Sequence, residues 1–244
     1  MNVPAPDASE SPQQIIIRLQ RKALLGDLAA VLVHEFNNLM TSALARVDFA
    51  LMTGEEQAAR KALETMHKQA HAALQIARKW VDLGQGGAPE LTRAPLENAL
   101  DDALTTLARP LEKDGLELRR DIDGAIELQA DGVLLRQFLM NVLHLMRGSR
   151  AERGGRLTIE ARRDDDARAT IALRGYGCGL DAETARTSIA PYLASGADAL
   201  DAADESTPLE LIACRLIAEW HSAALRCEAD DDCGVRLIVR WPTA

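Results

Sequence analysis

One histidine and three polar neighbours interrupt an apolar run, LAAVLVHEFNNLMT, from Leu28 to Thr41. A helix turns by about 100° per residue, so His34, Asn37, Asn38 and Thr41, at spacings of three, four and seven, share one polar stripe. Glu35 lies one position round from it. Leu25, Leu28, Leu32, Phe36 and Leu39 recur every three or four residues, the pattern of a buried seam in a helical bundle. His34 is therefore expected to face outward. A neutral, exposed imidazole is a competent nucleophile, and a carboxylate beside it can hold the proton on one nitrogen while the other attacks phosphorus. One turn on, the Asn38 amide can position a water or a phosphoryl oxygen. The plain alternative is an ordinary surface or core histidine of a long helix. Val31, Val33 and Met40 beside it fit either a docking surface or bundle core.

The elements that hold this stripe follow from periodicity. A polar, proline-containing tail occupies residues 1–12, and a long helix is predicted from Gln13 to Met52, broken by Thr53 and Gly54. A second helix, Glu55 to Leu83, carries Leu63, Met66, Ala70, Leu74, Ala77 and Val81 at helical spacing. Such a hairpin, residues 13–83, cannot bury both apolar faces alone, so pairing with a second copy into a dimeric four-helix bundle is expected. His67 and His71 stand at i, i+4 on the second helix with no carboxylate or cysteine in a metal signature, so they read as surface residues and no metal is expected. GQGGAP, Gly84 to Pro89, opens a linker over residues 84–94.

Beyond it, residues 95–244 read as mixed helix and strand, an α/β sandwich that makes the whole chain α+β. Helices are predicted over Pro95–Lys113, Asp131–Gly148 and Thr207–His221. Strands are predicted near Leu116–Arg120, Ile126–Gln129, Arg156–Arg163, Ala169–Arg174, Ala224–Glu228 and Val235–Trp241. The net charge of −9 and the lack of a basic block argue against nucleic acid or an anionic membrane as partner. No apolar run approaches the roughly 20 residues that span a bilayer, and the N-terminus is unlike a signal peptide. Cys178, Cys214, Cys227 and Cys233 show no CxxC spacing, so neither zinc nor a disulfide framework is indicated. A cytoplasmic protein is expected.

HEFNNLMT closely resembles the phosphoacceptor box of sensor histidine kinases. The resemblance implies that His34 is phosphorylated, that Glu35 is its acid/base partner, and that Asn38 supports phosphatase action on a partner protein. The second half resembles the ATP-binding domain of the same family. DGVLLRQFLMNVL is similar to its asparagine-box helix, with Asp131, Arg136, Gln137 and Asn141 in place. RGYGCGLD resembles the first glycine box, with Gly177 and Gly179. IAPYL resembles the segment before the nucleotide lid, and STPLELIACRLIAEWHSAALRCEA the second glycine box with the helix and strand after it.

The chain departs from that family where nucleotide would bind. Leu145 replaces the magnesium-binding asparagine and has no ligand atom. Gly175 replaces the aspartate that recognises adenine. Pro208 and Glu210 replace glycines whose backbone amides approach phosphate, and Glu210 adds repulsion of roughly 4 kcal/mol if its carboxylate lies about 4 Å from one phosphate charge at an effective dielectric near 20. The lid stretch SGADALDAADES contributes Asp198, Asp201, Asp204 and Glu205 without a basic residue. The resemblance with these departures implies a degenerate histidine kinase ATPase-like domain and a histidine phosphotransferase, shuttling phosphoryl groups between receiver-domain aspartates without ATP-dependent autophosphorylation. No cofactor is then bound by this chain, and Mg²⁺ sits on the partner receiver. The expected partners are a second copy and response-regulator receiver domains. Asn38→Ala is expected to leave phosphoryl acceptance intact. The rival expectations are an atypical sensor kinase, a response-regulator phosphatase acting through Asn38, and a non-catalytic receiver-binding scaffold.

Overall fold

The computed structural model describes residues 11–84, 90–107, 110–147, 155–165, 167–178, 180–230 and 234–244. Most of the tail, residues 85–89 of the linker, Gly179 and Cys233 lie outside them, as do the side chains of Leu28, Val31, Leu32 and Glu35.

The first helix, α1, spans Pro12–Thr53. Ser11 caps it with a reciprocal pair: its hydroxyl accepts from Gln14 N at 3.3 Å, and Gln14 Oε1 accepts from Ser11 N at 2.9 Å. Gly54, in the left-handed region at φ 67°, ends it and donates its N–H to Ala50 O. The second helix, α2, spans Glu56–Gly84 and folds back against α1. Alanines mark the buried contacts of this hairpin, Ala43 and Ala50 on α1 and Ala62 and Ala73 on α2. The larger apolar residues point elsewhere: Leu63, Met66, Leu74 and Val81 are exposed, as are Ala70 and Ala77. The expected seam on α1 is not closed within one chain, since Phe36 is 48% exposed and Leu25 and Leu39 are only half-buried. One chain packs its hairpin through small side chains and leaves the wide apolar faces uncovered.

The remainder is a sheet with helices against it. Strand β1 (Thr92–Pro95) leads into α3 (Leu96–Thr106) and a 3₁₀ turn (Leu111–Asp114), so the helix expected to reach Lys113 is shorter. Pro110 sits at the N-cap of that turn and has no N–H with which to continue a helix. Then follow β2 (Leu116–Ile122), β3 (Glu127–Ala130), α4 (Gly132–Arg147), β4 (Gly155–Arg163) and β5 (Arg168–Tyr176). After β5 come α5 (Ala182–Thr184), a π-helical turn (Ala185–Ile189) and α6 (Ala190–Ala194). The chain closes with α7 (Leu209–Trp220), β6 (Ala224–Asp230) and β7 (Gly234–Pro242). A five-stranded sheet runs β2-β4-β5-β7-β6, parallel only between β2 and β4, while β1 pairs antiparallel with β3. Leu157, Ile159, Ile171, Leu173, Leu237 and Val239 alternate along the strands into a core shared with α3, α4 and α7. Phe138 meets Trp241 edge to face at a centroid distance of 5.4 Å inside it.

One joint orients α4 against α7. Asp131 caps α4, its Oδ1 accepting from Val133 N at 2.9 Å and Leu134 N at 2.8 Å. Its own N–H donates to His221 Nε2 at 3.0 Å, and His221 Nδ1 lies 2.7 Å from Ile217 O, fixing the start of α4 to the end of α7. His221 is thereby a neutral ring with its proton on Nδ1.

Candidate functional site

His34, Asn37, Asn38 and Thr41 are all exposed on one stripe of α1. Asn38 Nδ2 lies 3.1 Å from His34 Nδ1, an i, i+4 pairing that the helix imposes. Glu35 occupies the intervening turn of α1, with its side chain outside the described residues. Val33, 58% exposed, and Phe36 add apolar surface beside the imidazole, and Met40 is half-buried. The arrangement is an imidazole on an exposed helix face, with a neutral amide at one ring nitrogen and apolar side chains beside it.

The positions matched to a nucleotide site look different. Asn141 is completely buried on α4 and is engaged by α1. Gln20 Nε2 donates to Asn141 Oδ1 at 2.7 Å, and Gln20 Oε1 accepts from Asn141 Nδ2 at 3.0 Å and Gln137 Nε2 at 2.7 Å. Gln137 also donates to Ile17 O at 2.9 Å and accepts from Arg21 Nε at 2.7 Å. Burial lowers the pKa of the Arg21 guanidinium, and the nearby Arg136 adds to that while Asp131 opposes it. Ile17 and Leu24 flank this amide network as buried apolar contacts. The foot of α1 thus closes over the asparagine-box helix, and every hydrogen-bonding edge of the Asn141 and Gln137 amides that faces it is used.

Gly175 lies on β5 with no room for a side chain, since a Cβ there would overlap Cys178 Sγ and lie 3.1 Å from Met146 Sδ. Sulfur side chains fill the place matched to the adenine-recognising aspartate. Burial pushes the Cys178 thiol up, so it stays protonated and apolar in character. Leu145 packs against the core. Glu210, at the start of α7, lies 3.5 Å from His144 Nδ1, and that contact lowers its carboxyl pKa against the opposing effect of burial. An ionised carboxylate therefore stands where phosphate amides are expected.

The segment after α6 is held down as well. Arg215, buried on α7, donates to Tyr192 O at 2.8 Å, to Ser195 O at 3.1 Å and to Ala197 O. Tyr192 Oη donates to Ala199 O at 3.1 Å, and burial pushes the Tyr192 pKa up to about 12. Asp204 Oδ1 accepts from Ser206 N at 2.9 Å and from Thr207 Oγ1 at 3.0 Å. The acidic stretch is a fastened loop.

Sequence reasoning singled out His34, Glu35 and Asn38 and gave no role to Gln20, Arg21, Cys178, His144 or Arg215. A signal for Gln20 existed, because Ile17, Gln20 and Leu24 share one face at spacings of three and four, a polar side chain in an apolar row. Among the described residues no group of three or more His, Cys, Asp or Glu side chains is placed to hold a metal. His67 and His71 are exposed and meet edge to face at 4.5 Å between ring centroids. No described helix is long and apolar enough to cross a membrane.

No protein-family model matches the chain. The C4-dicarboxylate transport sensor protein DctS of Rhodobacter capsulatus is 25% identical over 228 residues, covering 89% of this chain and 33% of that protein. The sensor histidine kinase ZraS of Klebsiella oxytoca is 24% identical over 220 residues, covering 89% of this chain and 46% of that protein. The chain thus spans a third to a half of the length of these relatives. Among solved structures, a mycobacterial sensor histidine kinase, MprB, aligns with TM-score 0.49 and 17% identity over 63% of this chain and 98% of that one. Histidine kinase ThkA, in complex with response regulator protein TrrA, aligns with TM-score 0.48 and 16% identity over 98% of this chain and 68% of that one. The sequence matches are longer than either the hairpin or the sandwich alone, so the likeness to these sensor proteins runs across both parts of the chain.

Proposed function

We propose that the chain is a phosphorelay histidine phosphotransferase. His34 takes a phosphoryl group from the aspartate of one receiver domain and passes it to another, without drawing on ATP. The observation that carries this reading is the filled nucleotide position: Asn141 is buried under Gln20, and sulfur atoms occupy the space a side chain at Gly175 would need. His34 meanwhile stands exposed on its stripe. Transfer between aspartate and histidine asks little of this chain, since the receiver's Mg²⁺ neutralises charge on the moving group and the histidine supplies position and a lone pair. Glu35 acts as acid/base partner of the imidazole, and Asn38 orders a water for loss of phosphate. The working unit is a homodimer, supported by the uncovered faces of α1 and α2, where Val33, Phe36, Leu44 and Leu51 and then Leu63, Met66 and Leu74 are exposed.

The test is phosphoryl transfer from a phosphorylated receiver in the absence of nucleotide. Label on wild type and none on His34→Gln supports the reading, and label that appears only with MgATP replaces it. The named relatives favour that second reading, an atypical sensor kinase, because both are sensor proteins and ZraS is named as a histidine kinase. Measurable MgATP affinity decides for it.

A further inference from the structure

The contact between Asn38 and His34 Nδ1, at 3.1 Å, bears on which ring nitrogen reacts. We propose that Asn38 is a positioning residue for phosphoryl acceptance: its amide covers Nδ1, directs the phosphoryl group to Nε2, and holds the Nδ1 proton of the phosphorylated ring. The proposal rests on the phosphotransfer reading and gives Asn38 a task besides ordering a water.

An amide carries NH₂ on one edge and C=O on the other, and half a turn about its last torsion exchanges them in the same space. With NH₂ toward Nδ1, the orientation the structure holds, that nitrogen accepts and the ring proton sits on Nε2. With C=O toward Nδ1, the proton sits on Nδ1 and Nε2 carries the lone pair. Only the second state can attack phosphorus at Nε2. In that attack the lone pair forms the N–P bond while the bond from phosphorus to the receiver's aspartyl oxygen breaks, its electron pair leaving on the carboxylate. The Nδ1 proton stays in place, so the attack itself releases none; the proton that Glu35 exchanges with the ring moves earlier, when the ring changes from the Nε2–H to the Nδ1–H tautomer. As the ring gains positive character, Nδ1–H becomes a stronger donor and its bond to Asn38 Oδ1 tightens. A contact that strengthens toward the transition state raises the rate instead of merely holding the ground state. The sequence-based expectation that Asn38→Ala leaves acceptance intact changes accordingly.

The test compares wild type, Asn38→Asp and Asn38→Leu, each carrying His67→Gln and His71→Gln so that the exposed histidines of α2 take no label, with His34→Gln as blank. Each protein is treated with phosphoramidate, which phosphorylates imidazoles without a partner, and separately with a phosphorylated receiver domain. Wild type and Asn38→Asp are expected to give only the Nε2 product by ³¹P NMR. Asn38→Leu keeps the size of the side chain but has no acceptor, and is expected to react about tenfold more slowly and to give both ring isomers. A packing role would leave Asp and Leu alike. Nε2 product alone at the wild-type rate in Asn38→Leu overturns the proposal, as does the same isomer mixture in Asn38→Asp. If no receiver labels any protein while phosphoramidate still separates Asp from Leu, the phosphorelay reading fails and the task of Asn38 stands.

Discussion

An exposed imidazole contributes little to packing, so replacing His34 should cost the fold less than about 0.5 kcal/mol while removing the proposed nucleophile. His34→Gln is expected to unfold at the wild-type denaturant midpoint and to accept no phosphoryl group. Glu35→Ala should fall between, slowing transfer by about 10²-fold if its carboxylate serves as the acid/base partner, and rapid-mixing assays separate the two. At the far end of the sandwich, burial lowers the pKa of His221 below its ordinary 6.5, against the opposing effects of the Ile217 carbonyl and Asp131. The unfolded chain then binds the proton more readily than the folded one. Stability from His221 is therefore complete above the unfolded pKa and is lost as pH falls through and below it. Urea unfolding at about pH 7.5 and about pH 5.5 should show a larger acid loss in wild type than in His221→Gln, whose side chain does not titrate in that window. Equal losses would remove His221 from the account.

At the scale of elements, the foot of α1 joins the hairpin to the sandwich. Gln20→Ala removes two hydrogen bonds from the buried Asn141 amide and one from Gln137, which keeps Ile17 O and Arg21 Nε, and is expected to cost about 2–4 kcal/mol in chemical unfolding, since each orphaned buried group loses about 1–3 kcal/mol. A loss below about 0.5 kcal/mol would show that water enters the joint and that α1 is not fastened to α4. This joint also marks where sequence reading stopped. The two long helices, α4, α7 and the strands of the five-stranded sheet were legible because each combines one strong period with a clear stop such as Gly54. The shortening of α3, the pairing of Thr92–Pro95 with Glu127–Ala130 and the π-helical turn were not, because each is set by a neighbour distant in sequence or by a local break in a pattern. The polar stripe of His34 could be read from spacing alone. Nothing in spacing reveals that Cys178 folds into the place beside Gly175 or that Gln20 takes Asn141, since both depend on tertiary approach.

For the whole molecule, the exposed Leu44, Leu63 and Leu74 predict association through the hairpin. Wild type is expected to scatter light as a dimer at micromolar concentration, and Leu63→Glu with Leu74→Glu as a monomer of unchanged helix content. A monomeric wild type would leave those faces to another occupant. Calorimetry should detect no micromolar MgATP binding, given Asn141 under Gln20 and the ionised Glu210 beside His144. The most direct test of the central claim follows ³²P from a phosphorylated receiver domain onto the protein, with nucleotide removed enzymatically. The account predicts acid-labile label on wild type, its passage to a second receiver, and none on His34→Gln. Label that requires ATP, or that survives in His34→Gln, would contradict it.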